Sequence, residues 1–332
     1  MKDGFIKAAA LSPEIRVADC VFNTESICGQ IDEAVREHAK ILVFPELCIT
    51  GYTCGDLFWQ ETLLTAARKA LQRVIDYSAG KGALIFAGLP WEENGKLYNV
   101  AAAFSDGRLL GLIPKRHLPN YNEFYEARHF TPGFETVVYV DFNGESVPFG
   151  MNLLFTCEAP RGLCVAAELC EDLWAPNPPS VAHAMAGANV IVNLSASDEV
   201  AGKSLYREAL VSGQSARLLC GYVYASAGEG ESTQDLVYGG HSLLAENGHI
   251  LAESSRFGSG MICSEFDISR LRAERRRMTT FAIQDNVNFI KASAAERQNE
   301  CPGQYMKIGF HFKEEKTYLT RNFDPMPFVP DK

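Results

Sequence analysis

No apolar run in the sequence is long enough to span a bilayer, and the first residues (Met1, Lys2, Asp3, Gly4) lack the regions of a secretory signal. Neither a membrane partner nor export is therefore expected, and the cytoplasm is the expected compartment. There is no CxxC pair, and none of the seven histidines stands in HExxH or HxxxH spacing, so no metal is expected. The ten cysteines, scattered from Cys20 to Cys301, read as reduced thiols, most of them core filler, and not as a disulfide framework. Positive charge is scarce: Lys and Arg number 31 against 41 Asp and Glu, a net charge of -10 that opposes binding to nucleic acid. The one basic run, Arg270 to Arg277 (RLRAERRR), fits a solvated or subunit-facing helical surface. Nucleotide motifs fail as well. GKS at Gly202 to Ser204 has Ser197 where a P-loop needs glycine, and GEGEST from Gly228 has Thr233 where GxGxxG needs one. GxSxG is missing, which removes the nucleophile elbow of one class of serine hydrolase.

What is present is apolar material for a large core, 47% of residues, arranged in alternating strands and helices. Phe5 to Leu11 predicts a buried strand, and Asn23 to His38 a helix with Ile27, Ile31, Ala34 and Val35 on one face. A strand at Ile41 to Phe44, a helix at Glu61 to Ala79 and a strand at Ala83 to Leu89 follow. Ser105, Asp106 and Gly107 predict a turn joining Asn99 to Phe104 with Leu109 to Ile113, so mixed pairing is expected. Farther on come a strand at Leu163 to Leu169, a helix at Pro179 to Gly187, strands at Val190 to Leu194 and Gly221 to Ala227, and a hairpin within Gly240 to Glu253 turning at Asn247 and Gly248. The pattern alone predicts α/β. Past Arg270 the chain turns charged, and beyond about Thr280 it shows little periodicity before Pro325, Pro327 and Pro330, as in an arm or linker.

Three chemically potent residues stand at the ends of apolar strands, where side chains of an α/β sheet converge on a common crevice. Glu46 follows ILVFP, Lys115 follows LLGLIP, and Cys170 follows LCVAAEL. Singly, each has an ordinary explanation: a helix cap, a surface lysine, one more buried thiol. Together they supply a base, a cation and a nucleophile, the functions needed to break an unactivated C–N bond through a covalent intermediate.

The segments VFPELCITGY, PKRHLPNYNEFYEARHF and ELCEDLW resemble, in order, the three signature segments of the nitrilase superfamily. NLSAS (Asn193 to Ser197) and YVYASAGEGEST (Tyr222 to Thr233) further resemble the N-terminal glutaminase domains of glutamine-dependent NAD synthetases. The resemblance covers roughly residues 5–270. It implies a four-layer αββα sandwich, a hydrolase domain over residues 1–275, and an arm and linker over 276–332 leading toward an ATP-dependent synthetase domain that the chain lacks. It also implies self-association into a homo-oligomer.

For the site, the resemblance implies Cys170 as nucleophile, Glu46 as general base and acid, Lys115 as the transition-state cation, and Glu126 as a second glutamate near the lysine, with Glu123 the lesser choice. The alternative for Glu126 is a structural ion pair with Arg128 or Lys115. Glu171 suits the ammonium of glutamine, Ser197 and Lys203, on the loop after NLSAS, match positions that hold its α-carboxylate, and Tyr52 and Tyr121 are expected to line the pocket. Lys203 equally fits a solvent-facing lysine. The SGGxDS loop of the synthetase half is absent, and YGGHS at Tyr238 does not supply it, so ATP and magnesium would belong to the missing domain and the hydrolase half needs no cofactor. Two alternatives stay open: a stand-alone amidase or carbamoylase using the same triad on another small C–N substrate, and an inactive scaffold for oligomer or synthetase assembly.

Overall fold

In the computed structural model, which describes residues 3–233, 235–281, 289–290, 304–312 and 315–323, the alternation resolves into two facing eight-stranded sheets. The strands are β1 (Phe5–Ser12), β2 (Ile41–Val43), β3 (Leu84–Glu93), β4 (Lys96–Ser105), β5 (Arg108–Pro114), β6 (Val138–Phe142), β7 (Glu145–Phe149), β8 (Leu153–Cys157), β9 (Leu163–Leu169), β10 (Val190–Ser195), β11 (Gly221–Ser226), β12 (Leu243–Glu246), β13 (His249–Glu253), β14 (Gly260–Asp267), β15 (Phe289–Ile290) and β16 (Tyr305–Gly309). The helices are α1 (Cys20–Arg36), α2 (Glu61–Tyr77), α3 (Glu171–Trp174), α4 (Pro179–Met185), α5 (Lys203–Leu218) and α6 (Ile268–Arg277). One sheet has the order β14-β1-β2-β3-β4-β5-β7-β6, the other β13-β12-β11-β10-β9-β8-β16-β15.

Strand alternation builds the layers. In β1, Ile6, Ala8 and Ala10 face the second sheet and meet a core containing Phe155, Val165, Ala167 and Val192. The intervening Ala9 and Leu11 face outward, where Ile27 and Ile31 of α1 and Leu71 and Val74 of α2 cover them. The second sheet repeats this, turning Ala166, Ile191 and Tyr222 toward Ala184 of α4 and Val211 of α5. Because both faces of each sheet are covered, the central strands read as continuous apolar runs. Phe86 and Phe155 join the sheets edge to face, with ring centroids 5.5 Å apart. The architecture is the αββα sandwich. Pairing is mixed: β1, β2 and β3 are parallel, as are β9, β10 and β11, whereas β4 is antiparallel to both β3 and β5.

The structure adjusts several expectations. Helix α1 begins earlier than expected because Asp19 caps it, accepting from the Phe22 N–H at 3.1 Å, and it stops at Arg36, ahead of His38 with φ 62°. The β3–β4 and β6–β7 hairpins turn at Asn94–Gly95 and Asn143–Gly144, with all four residues at positive φ, a turn signal that the apolar pattern does not include. Helix α5 is absent from the sequence expectations, and its first residue is Lys203, which the pattern puts on a loop. In the basic run, Arg275 is buried and donates to the carbonyls of Leu218 (2.7 Å) and Leu219 (3.1 Å), capping the end of α5, so that part of the run is not a solvated surface. Past the run, β16 pairs in parallel with β8, and Thr320 and Arg321 bond to the buried Glu265 of β14.

The turn after β2 packs on β3 at Gly88, whose carbonyl accepts from the Ile49 N–H at 3.1 Å. A methyl group added at Gly88 would lie 2.2 Å from the Leu47 nitrogen and 2.6 Å from the Pro45 carbonyl oxygen. Gly88→Ala is therefore expected to destabilise the protein by about 1–3 kcal/mol through overpacking and to displace Glu46. Urea unfolding alongside an activity assay checks this; unchanged values in both would contradict the packing described.

Candidate active site

Glu46 lies three residues beyond β2 and Lys115 directly follows β5; both are fully buried. Lys115 Nζ donates to Glu46 Oε1 and to Glu126 Oε1, each at 2.6 Å. The second contact places Glu126, not Glu123, on the lysine; Arg128 pairs instead with Asp56. Asn99 of β4 donates to Glu46 Oε1 at 2.6 Å, and the Ala196 N–H just past β10 donates to Oε2 at 2.9 Å. Glu126 also accepts from the Tyr52 hydroxyl at 2.7 Å, while its other oxygen is buried without a hydrogen-bond partner.

Burial pulls the Lys115 ammonium down, but Glu126 and Glu46 outweigh it and hold the ammonium well above its ordinary range. Glu126 shows the converse. Burial pushes its carboxyl up to about 7, with Lys115 pulling the other way. The cluster thus sets one ammonium between two carboxyl groups.

Cys170 directly follows β9 and immediately precedes α3, in a strained backbone conformation, φ 38° and ψ -99°. Its N–H donates to Leu194 O and to Asn193 Oδ1, both at 3.0 Å. The end of β10 thus contacts Glu46 from one sheet and Cys170 from the other. Burial, then the charge of Glu46, raise the thiol far above its usual range against the pull of Lys115, so the resting sulfur is protonated.

Cys170, Tyr121, Glu171, Ser197 and Lys203 line a single cavity of about 480 Å³. The Tyr121 hydroxyl donates to Glu171 at 2.7 Å. Lys203 is not solvent-facing: it pairs with the buried Asp198, and its ammonium lies 5.2 Å from the Trp174 ring and 5.6 Å from that of Phe124. Tyr52 and Glu126 instead line a neighbouring cavity of about 180 Å³. Both cavities reach Glu123.

Several supporting residues escape a reading of the sequence. Asp172, inside ELCEDLW, accepts from His117 N (2.8 Å) and Leu169 N (3.0 Å), tying the segment after Lys115 to the strand that carries Cys170. Arg207 donates to Ser197 Oγ and Asp198 O and holds the loop that bears them. Asp198 has a second carboxylate oxygen, buried and without a partner. Glu231, within GEGEST, accepts from the backbone of Tyr52 (2.6 Å) and Thr53 (3.0 Å), which explains that motif as an anchor for the Tyr52 turn. Capping-type spacing near an apolar strand end is the available signal for Asp172; nothing local marks the others.

These features define a carbon-nitrogen hydrolase: the chain belongs to that family, whose sequence profile matches residues 7–276. Within it, the chain is similar to the glutamine-dependent NAD(+) synthetase of Mycobacterium bovis, 37% identical over 98% of this chain and 47% of the relative, and to that of Aquifex aeolicus, 30% identical over 78% and 42%. The chain spans about half the length of the curated relatives it matches. Among solved structures, a glutamine-dependent NAD(+) synthetase from Cytophaga hutchinsonii superposes with a TM-score of 0.71, 28% identity and coverage of 86% of this chain and 48% of that one. An amidase from Nesterenkonia shares the fold, with a TM-score of 0.62, 20% identity and coverage of 83% and 97%. No helix among the described residues is long and apolar enough to cross a membrane.

A protonated resting thiol makes a kinetic prediction. Alkylation of Cys170 by iodoacetamide should keep rising with pH beyond about pH 9, as for a thiol whose ionisation burial opposes. A plateau at neutral pH, the mark of a preformed thiolate, would contradict the electrostatics of the site.

Proposed function

We propose that this protein hydrolyses glutamine to glutamate and ammonia through a thioester on Cys170. The observation that carries the reading is the contact of Lys115 with both Glu46 and Glu126, near enough to Cys170 for all three charges to act on its thiol. Glu46 removes the thiol proton as sulfur attacks the side-chain carbonyl of glutamine. The negative charge then forming on the carbonyl oxygen is met by Lys115 and by the backbone N–H of Glu171, at the start of α3; losing one such donor typically costs about a hundredfold or more in rate. Glu46 returns its proton to the departing nitrogen, ammonia leaves, and the thioester remains. Glu46 next takes a proton from water, whose oxygen attacks the acyl carbon; the proton passes to sulfur and glutamate is released.

The larger cavity suits the amino acid end of glutamine. Lys203 takes the α-carboxylate together with the Ser197 hydroxyl, whose oxygen accepts from Arg207. Glu171 takes the ammonium, joined by the unpartnered oxygen of Asp198. Tyr121 positions Glu171, and Tyr52 does the same for Glu126. In the relatives' context the ammonia would amidate deamido-NAD on a synthetase domain using ATP and magnesium, with residues 276–332 as the arm leading to it, in a cytoplasmic homo-oligomer.

Glutamate and ammonia release is expected from glutamine in preference to asparagine, simple amides and nitriles, and Cys170→Ala should abolish it. Equal rates on all of them would favour the stand-alone amidase; a folded wild-type protein that neither turns over nor reacts with a glutamine-like electrophile would favour the scaffold. Since burial holds the Glu126 carboxyl near 7, protonation as pH falls through that value weakens its hold on Lys115. kcat/KM is expected to decline on the acid side of about pH 7, and Glu126→Gln should remove that limb at a lower overall rate. A limb unchanged in the variant would contradict this.

A further inference from the structure

Beneath α4 and α5, on the face of the second sheet turned away from the other sheet, lies a buried polar cluster that the mechanism above does not use. Glu168 of β9 is two residues before Cys170 and almost wholly buried. Its carboxyl accepts from the Tyr222 hydroxyl, from the Ser180 N–H at 2.8 Å and from the Ser180 hydroxyl. Tyr222 in turn accepts from Asn193 Nδ2 at 3.2 Å. Asn193 then offers Oδ1 to the Cys170 N–H at 3.0 Å and to the Ser195 hydroxyl at 2.7 Å.

Each link has a direction. Burial raises the Glu168 carboxyl to about 7 while its bonds from Tyr222 and Ser180 pull it down, so above that value it is ionised and only accepts; the Tyr222 hydroxyl then points at Glu168 and presents its oxygen to residue 193. That oxygen can be met only by the amide nitrogen of Asn193, which leaves Oδ1 facing Cys170. We propose that Glu168 is a positioning residue for the nucleophile: through Tyr222 it fixes which way the Asn193 amide faces, and so supplies the acceptor that holds the strained backbone of Cys170. Reversing the polarity at Glu168 would turn the Asn193 nitrogen toward the Cys170 N–H, donor against donor. The reacting atom would then shift, and misplacement on the order of 1 Å costs about a hundredfold in rate.

The inference rests on the glutaminase reading only for its assay substrate, and Cys170 alkylation by iodoacetamide supplies a readout that needs none. The test is a cycle of Glu168→Gln, Asn193→Asp and the double variant, all in the full chain. In Glu168→Gln, the new side-chain amide can keep an oxygen toward the Ser180 N–H only by donating to Tyr222, which must then donate to residue 193. The carboxylate introduced by Asn193→Asp can accept that bond and the one from Cys170 together. Each single variant is expected to lose about tenfold or more in kcat and in alkylation rate, with KM changed by less than about threefold, and the double to be at least about fivefold faster than either single. Losses that add in the double, or a Glu168→Gln enzyme within about threefold of wild type, would overturn the proposal. If a single variant does not fold, a folded double within about tenfold of wild type still supports it, and an inactive or unfolded double overturns it. Wild-type protein that leaves glutamine untouched would count against the glutaminase reading alone, since the alkylation cycle still decides the role of Glu168.

Discussion

A lysine ammonium removed from solvent and held between two carboxylates is the interaction on which the rest of the site depends. Burying either charge type alone is costly, by several kcal/mol per ion even after relaxation, so Lys115, Glu46 and Glu126 are stable only as a set. Their geometry requires the ends of β2, β4 and β5 to stay in register, because Asn99 and Lys115 must both reach the same oxygen of Glu46. The same burial also acts on the sulfur. Burial first, and then the charge of Glu46, raise the Cys170 thiol against the pull of Lys115.

The two sheets divide the labour. The first brings the charged groups, the second the Cys170 thiol, and the end of β10 joins them through Ala196, Leu194 and Asn193. Asp172 adds a second tie by binding the backbone on either side, after Lys115 and before Cys170. Behind Cys170, Glu168, Tyr222 and Asn193 form a chain of hydrogen bonds that ends on its N–H. The larger cavity opens on the α5 side, where Arg207 holds the loop of Ser197 and Asp198.

Glu46, Lys115 and Cys170 are legible because each ends an apolar run that can only be a buried strand, and a charge or thiol there calls for partners. Glu126 is not separable from Glu123 or from an Arg128 pair by local pattern, since what distinguishes it is the reach of Lys115 across eleven residues of irregular chain. Helix α5 is hidden for a different reason: its buried face is Arg207, Val211, Gln214, Ser215 and Leu218, helical in spacing but too polar to read as hydrophobic periodicity. The β3–β4 and β6–β7 hairpins are legible at their Asn-Gly turns, a signal that apolar runs alone do not carry. Arg207 and Glu168 cannot be found from sequence, because their partners lie on other strands and loops and only the fold brings them together.

The central claim, a thioester on Cys170 formed under the Lys115 cluster, is tested most directly by hydrolysis of glutamine in the presence of hydroxylamine, a nucleophile that intercepts acyl-enzymes. The account predicts that γ-glutamyl hydroxamate appears at the expense of glutamate while ammonia release continues. Ammonia released with a full yield of glutamate and no hydroxamate, at any hydroxylamine concentration the protein withstands, would contradict it.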